Sequence, residues 1–163
     1  MKRLQLLPIM LLLLSLSVFS QESNPVELFE GRGITSTPQR IMDLSYQNLQ
    51  EVPISANLPG IEVLILDNNQ LTELPNWINN LTNLRILSVR NNKLIEVNSL
   101  LSHCTKLEQL HLTGNAALTD LPNLSSCRNL MLVDVVGTRI REIPAHIRTM
   151  DHLYYFKYNP GEK

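Results

Sequence analysis

The stretch Ile61-x-x-Leu64-x-Leu66-x-x-Asn69-x-Leu71-x-x-Leu74-Pro75 returns as Leu84-x-x-Leu87-x-Val89-x-x-Asn92-x-Leu94-x-x-Val97. Further copies begin at Leu107 and Leu130 and a partial one at Leu153, each start 23 residues after the last. An earlier copy, Met42-x-Leu44-x-x-Gln47-x-Leu49-x-x-Val52-Pro53, lies 22 residues ahead when counted from Gln39. A fixed period of this length is the mark of a repeat array, in which a unit buries its apolar face only against its neighbours.

Within each copy the first half alternates apolar and polar at period two, the signature of a strand with one face buried. Leu64 and Leu66 are therefore expected inward and Val63, Ile65 and Asp67 outward. Stacked at about 4.8 Å, such strands form one parallel sheet over one continuous core. Asn69, Asn92 and Asn115 stand where the chain leaves the strand, and a backbone group left unpaired there costs about 1–3 kcal/mol. An amide both donates and accepts, so these three are expected to form a stacked row. Gln47 and Thr138 take the same place toward the ends, and Thr138, which has no amide, predicts a looser turn in the fifth copy. In the fourth copy Asn115-Ala116-Ala117-Leu118 is one residue longer than Asn92-Lys93-Leu94, and Pro122-Asn123-Leu124 is one shorter than Pro75-Asn76-Trp77-Ile78. The two changes cancel and should leave the next strand in register.

The pattern L-x-x-L-x-L-x-x-N-x-L with a variable second half resembles the leucine-rich repeat family. The Leu74-Pro75, Leu121-Pro122 and Ile143-Pro144 steps are similar to the 23-residue LPxxIxxLxxL subtype. The resemblance implies an α/β right-handed solenoid, with a parallel sheet on its concave face and short helical or extended segments on the convex one. It also implies non-catalytic recognition of a protein or peptide by the concave face, the alternative being a structural, self-associating surface or matrix scaffold component. Five near-complete repeats and a partial sixth would fill residues 39–160.

The ends read differently. Residues 1–20 have the form of a secretory signal: Lys2 and Arg3, an apolar run from Leu4 to Val18, and Val18 and Ser20 as compact residues before Gln21. A transmembrane anchor is the weaker reading, because Pro8, Ser15 and Ser17 interrupt a run that is short of the about 20 apolar residues needed to span. The absence of a Cys directly after the run excludes a lipoprotein anchor. The chain is accordingly expected to be secreted or periplasmic, with no membrane insertion after signal removal. Residues 21–38 would cap the first repeat, with Val26, Leu28 and Phe29 as the plug and Gly31-Arg32-Gly33 as a turn. Phe156 and Tyr158 replace the inward leucines of the last strand as a short hydrophobic stop. That end is expected to be the weak point of the fold and a place for weak self-association, with residues 161–163 as a tail.

Charge and motifs exclude several function classes. The chain has 14 basic and 15 acidic residues, and loss of Lys2 and Arg3 leaves a net charge near −3, which gives no electrostatic reason to expect nucleic acid. Gly31-x-Gly33 lacks the third glycine and preceding strand of a phosphate loop, and neither HExxH nor CxxC occurs. The four histidines have no metal-ligand spacing, so neither metal nor cofactor is expected. Ser88, His111 and Asp134 fall in one outward column, but a flat column lacks the convergence and oxyanion donors of acyl transfer. Asn80-Leu81-Thr82 and Asn123-Leu124-Ser125 are glycosylation sequons, read as chance matches in an Asn-rich repeat. Cys104 and Cys127 stand one repeat apart at the place of Leu81. A disulfide is within reach, although in-register stacking favours two buried thiols over the required dihedral.

The concave face is the remaining candidate site. Its outward columns read Ile41, Val63, Ile86, Gln109, Leu132, Tyr155, then Asp43, Ile65, Ser88, His111, Asp134, Lys157, then Ser45, Asp67, Arg90, Thr113, Val136, Asn159. An apolar strip facing solvent marks an interaction surface, unless curvature or the N-terminal segment covers it. Edging charges of both signs suit a protein or peptide better than a polyanion. The partner-binding set expected here is Val63, Ile65, Asp67, Ile86, Ser88, Arg90, Gln109, His111, Leu132, Asp134 and Tyr155. Trp77, expected on the convex side, is the competing anchor.

Overall fold

The computed structural model describes residues 40–52 and 60–160. The chain divides into two compact units, 1–38 and 39–163, and the described residues all belong to the second. The expected signal segment, the capping segment with Val26, Leu28 and Phe29, the Gly31-x-Gly33 turn, Pro53 and the tail at 161–163 lie outside the described residues.

Six three-residue strands form one parallel sheet in chain order: β1 (Ile41–Asp43), β2 (Val63–Ile65), β3 (Ile86–Ser88), β4 (Gln109–His111), β5 (Leu132–Asp134) and β6 (Tyr155–Lys157). Met42 lies beside Leu64, then Leu87, Leu110, Val133 and Phe156. The offset is 22 residues once and 23 thereafter, as the sequence spacing requires. The fourth repeat keeps this register despite its altered spacing, because both compensating positions, Leu118 and Leu124, still reach the core. Parallel strands need a crossover, and here each crossover is one solenoid turn.

The crossovers are short because each turn has few residues to spend. Asn76–Asn80 and Ser99–His103 are 3-10 helices, and Ala145–Arg148 is a single α-turn. Pro75 and Pro144, in extended conformation, directly precede the first and last of these, where a missing N–H costs nothing. Asn98 instead caps the second segment, accepting the Leu100 amide at 2.8 Å. Leu81, Cys104, Cys127 and Met150 close the outer wall, and all four are buried. Together with the strand leucines they make the continuous apolar spine of a leucine-rich-repeat solenoid.

The asparagine row forms and joins repeat to repeat. Asn69 Oδ1 accepts the amides of Gln47 and Leu49, both at 3.0 Å, while its Nδ2 donates to the carbonyls of Leu44 and Leu66 at 2.9 Å. Asn92 accepts the Leu71 amide and donates to the Leu66 carbonyl. Asn115 accepts the Leu94 amide and donates to the Val89 and Leu112 carbonyls. Thr138 breaks the pattern: its hydroxyl donates to the Val135 carbonyl and accepts the Ile140 amide, both within its own repeat. Its turn is hydrogen-bonded, but nothing from this side chain ties it to the fourth repeat.

The residue before each row position, at 46, 68, 91, 114 and 137, has left-handed backbone. Asn and Gly tolerate this conformation and fill four of the five places. At Gly114 a Cβ would also press on Asn91 Oδ1, the movable end of that side chain.

Candidate functional site

The outward columns of the sheet are not uniformly open. Val63 is 1 % exposed and Ile86 4 %, and Ile65, Ser88 and His111 are also buried. The expectation that these five face solvent is therefore corrected. Val63, Ile65 and Ile86 are apolar, and their burial is favourable, while Ser88 and His111 are bonded to Asp67 and to Arg90 and Gln109 rather than outward. Asp67, Arg90, Gln109, Leu132 and Asp134 are half-buried, and Tyr155 is 62 % exposed. The accessible part of this face thus shifts toward β4, β5 and β6.

The polar columns form a fixed network. Asp67 Oδ1 accepts the Ser88 hydroxyl at 2.7 Å and the Arg90 amide at 2.8 Å. An Arg90 Nη lies 2.8 Å from His111 Nδ1, and His111 Nε2 lies 3.1 Å from Gln109 Oε1. Guanidinium can only donate, so Nδ1 is the acceptor and the proton sits on Nε2, which donates to Gln109. Burial pushes the His111 pKa down to about 4, reinforced by the Arg90 charge, with Asp134 opposing and Lys157 adding to it. His111 is therefore neutral at neutral pH. Ser88 is bonded to Asp67, and His111 to Arg90 and Gln109, so the Ser88, His111 and Asp134 column does not assemble as a nucleophile, base and orienter.

One ladder was not anticipated from sequence. Arg85, one residue ahead of β3, forks onto Glu108 with Nε–Oε1 at 2.8 Å and Nη–Oε2 at 3.1 Å, and reaches Glu62 at 3.8 Å. The signal was present as opposite charges spaced by one repeat. The same column continues as Met131 and Tyr154, so its character turns from ionic to apolar along the solenoid.

Cys104 and Cys127 are free and fully buried, so no disulfide joins them. Each thiol points to the carbonyl one repeat back, Cys104 to Ile78 at 3.3 Å and Cys127 to Leu101 at 3.8 Å. Burial and the neighbouring Cys127 push the Cys104 pKa up to about 12, and burial pushes Cys127 up to about 11. These are the properties of inert core thiols. Trp77 sits in the first 3-10 segment, half-buried, with its indole N–H enclosed and unpartnered. Asn80 and Asn123 are exposed. Among the described residues no group of three or more His, Cys, Asp or Glu side chains could hold a metal ion, and no helix is long and apolar enough to cross a membrane.

Comparison with known proteins agrees with this architecture. Residues 82–126 match the family model described as Leucine Rich repeats (2 copies). Among solved structures, a leucine-rich-repeat protein of Leptospira interrogans is 26 % identical, with a TM-score of 0.58 over 71 % of this chain. The match covers 36 % of that protein's chain, so this sequence spans about a third of its length. No curated protein matches the sequence.

Proposed function

We propose, from the premise that the chain belongs to the leucine-rich-repeat family, that it is a non-catalytic recognition module whose concave face binds a protein or peptide outside the cytoplasm. Leucine-rich repeats are in general protein-interaction scaffolds, and the finer reading rests on one observation. Across β4 to β6 the face offers Leu132 and Tyr155 as accessible apolar anchors, with Gln109, Asp134 and Lys157 beside them. An apolar centre with a polar, mixed-charge rim is the composition of a protein-binding patch. Beside it, the network of Asp67, Ser88, Arg90 and His111 ends on Gln109 and holds that side chain in place before a ligand arrives, which lowers the entropy lost on binding.

The test is retention of a partner from the surrounding medium by the immobilised chain, against a variant with Leu132→Asp and Asp134→Arg. Loss of retention of at least about tenfold with an unchanged circular dichroism spectrum is expected, the size of one truncated anchor or more. Equal retention by both chains would move the site off this face. Export is supported by Lys2, Arg3 and the apolar run to Val18. N-terminal sequencing of protein recovered outside the cell should begin at Gln21, and a chain still starting at Met1 in the membrane fraction would count against it.

A further inference from the structure

We infer that Arg90 is an anion-binding point in the middle of the concave face and takes one carboxylate of the protein or peptide partner, an assignment that rests on the recognition function proposed above. Two arginines of the third repeat are paired in opposite ways. Arg85 forks onto Glu108 and reaches Glu62, whereas Arg90 makes no ion pair among the described residues. One Nη of Arg90 donates to His111 Nδ1 at 2.8 Å, its Nε is enclosed with no acceptor, and its second Nη is not enclosed. The side chain is half-buried. Taking a guanidinium part-way out of water without an opposing charge is unfavourable, and the neutral His111 supplies none. The flanking acids spend an oxygen on other donors: Asp67 Oδ1 accepts the Ser88 hydroxyl and the Arg90 backbone amide, and Asp134 Oδ1 accepts the Val136 amide at 3.2 Å.

The charge around Arg90 selects the kind of anion. Asp43, Asp67 and Asp134 outnumber Arg90 and Lys157 in the outward columns by one. A doubly charged phosphate is therefore repelled by the face as a whole, while Arg90 alone offsets a single carboxylate. Guanidinium also donates to carboxylate in charge-assisted bonds that are stronger than its bond to an imidazole. Position ties this point to the apolar anchor. Leu132 is two strands beyond the strand that Arg90 follows, about 10 Å across the sheet at about 4.8 Å per strand. The bonds from Arg90 to His111 and from His111 to Gln109, the residue paired with Leu132, run between the two. A partner that sets an apolar side chain on Leu132 and an acid on Arg90 engages both at once.

Nuclear magnetic resonance of the full chain with isotope-labelled arginine tests this on the native protein. The Arg90 Nε–H and Cζ signals, assigned by their loss in Arg90→Lys, should move saturably as sodium acetate replaces sodium chloride at constant ionic strength, half-complete at or below about 100 mM. The Arg85 signals, already bonded to Glu108, should stay in place. Acetyl-glutamate amide and acetyl-alanine, which carry the carboxylate on a side chain and on a chain end, should move the Arg90 signals too, and the tighter of the two tells which source the site prefers. Acetyl-glutamine amide should leave them unmoved. Arg90 signals that ignore acetate, or that answer inorganic phosphate at a lower concentration than acetate, would overturn the assignment. The titration needs no partner, so the two readings fail separately: a silent Arg90 with retention lost in the Leu132 and Asp134 variant refutes the anion site alone, and a responsive Arg90 with equal retention by both chains refutes the recognition patch.

Discussion

Strands β2 and β3 bury every residue on both faces, whereas β6 exposes Tyr155 and Lys157 and only half-buries Phe156. The two regions share one repeat pattern, one register and one parallel ladder, so the difference does not come from the backbone. Part of it is position, since among the described residues β6 has a neighbouring strand on one side only, and the links between repeats differ as well. In the early repeats an asparagine amide ties each turn to the one before, and Arg85 spans two carboxylates. In the fifth repeat Thr138 closes only its own turn. At its flank the Gly137 amide is taken by the Asn159 side chain at 2.5 Å, where the Asn91 and Gly114 amides reach the backbone of the next repeat. The lesson is that a solenoid of identical geometry can grade its cohesion along its length through one side-chain type per repeat.

The sharpest way to break the comparison is to delete the side chain at the row position in each region. Asn92→Ala should cost about 3–4 kcal/mol in urea unfolding, because it orphans the Leu71 amide and removes a donor from the Leu66 carbonyl in a buried turn. Thr138→Ala should cost only about 1 kcal/mol, since it removes bonds made inside a single repeat. Equal losses would show that the amide row is not what distinguishes the two regions.

Acid should weaken the sheet through its middle. His111 is held neutral with a folded pKa of about 4 against 6.5 for the free group, so the unfolded chain takes up its proton first as pH falls. The stabilisation associated with the neutral ring is complete above pH 6.5 and is lost as pH drops toward 4, by up to about 3 kcal/mol. A His111→Gln chain should lack this part of the pH dependence when the two are unfolded side by side between pH 7 and 4. Matching slopes would show that the imidazole is not buried in neutral form.

The smallest effect belongs to the charge ladder. Arg85→Gln should cost less than about 1 kcal/mol, because the side chain is a third exposed and such pairs are screened by water and salt. The difference should shrink further in 1 M salt, and a salt-independent loss would mean that Arg85 acts through packing of its stem.

The repeat, the strand register, the inward leucines and the amide row were all legible in the chain. Each follows from a residue type that recurs at a fixed interval for a reason local to one repeat. The left-handed position before the row was not read from the sequence; Asn68, Asn91, Gly114 and Gly137 carry a composition that suits it, but Tyr46 shares the conformation without that composition. What the sequence did not disclose was burial on the concave side. Val63 and Tyr155 occupy the same column at the same period, and period two states only which face a side chain takes. Whether that face is covered depends on neighbours in space, such as the Arg90 and His111 bond between adjacent repeats, and no single-repeat pattern contains that information.

The sealed pair of thiols has a practical consequence. With pKa values of about 12 and 11, fewer than about one in ten thousand would be ionised at neutral pH, and neither sulfur is open to solvent. An alkylating reagent could modify them only when the outer wall of the third and fourth repeats parts. The native chain thus has a built-in clock for opening of its central turns, readable by mass without any engineered label.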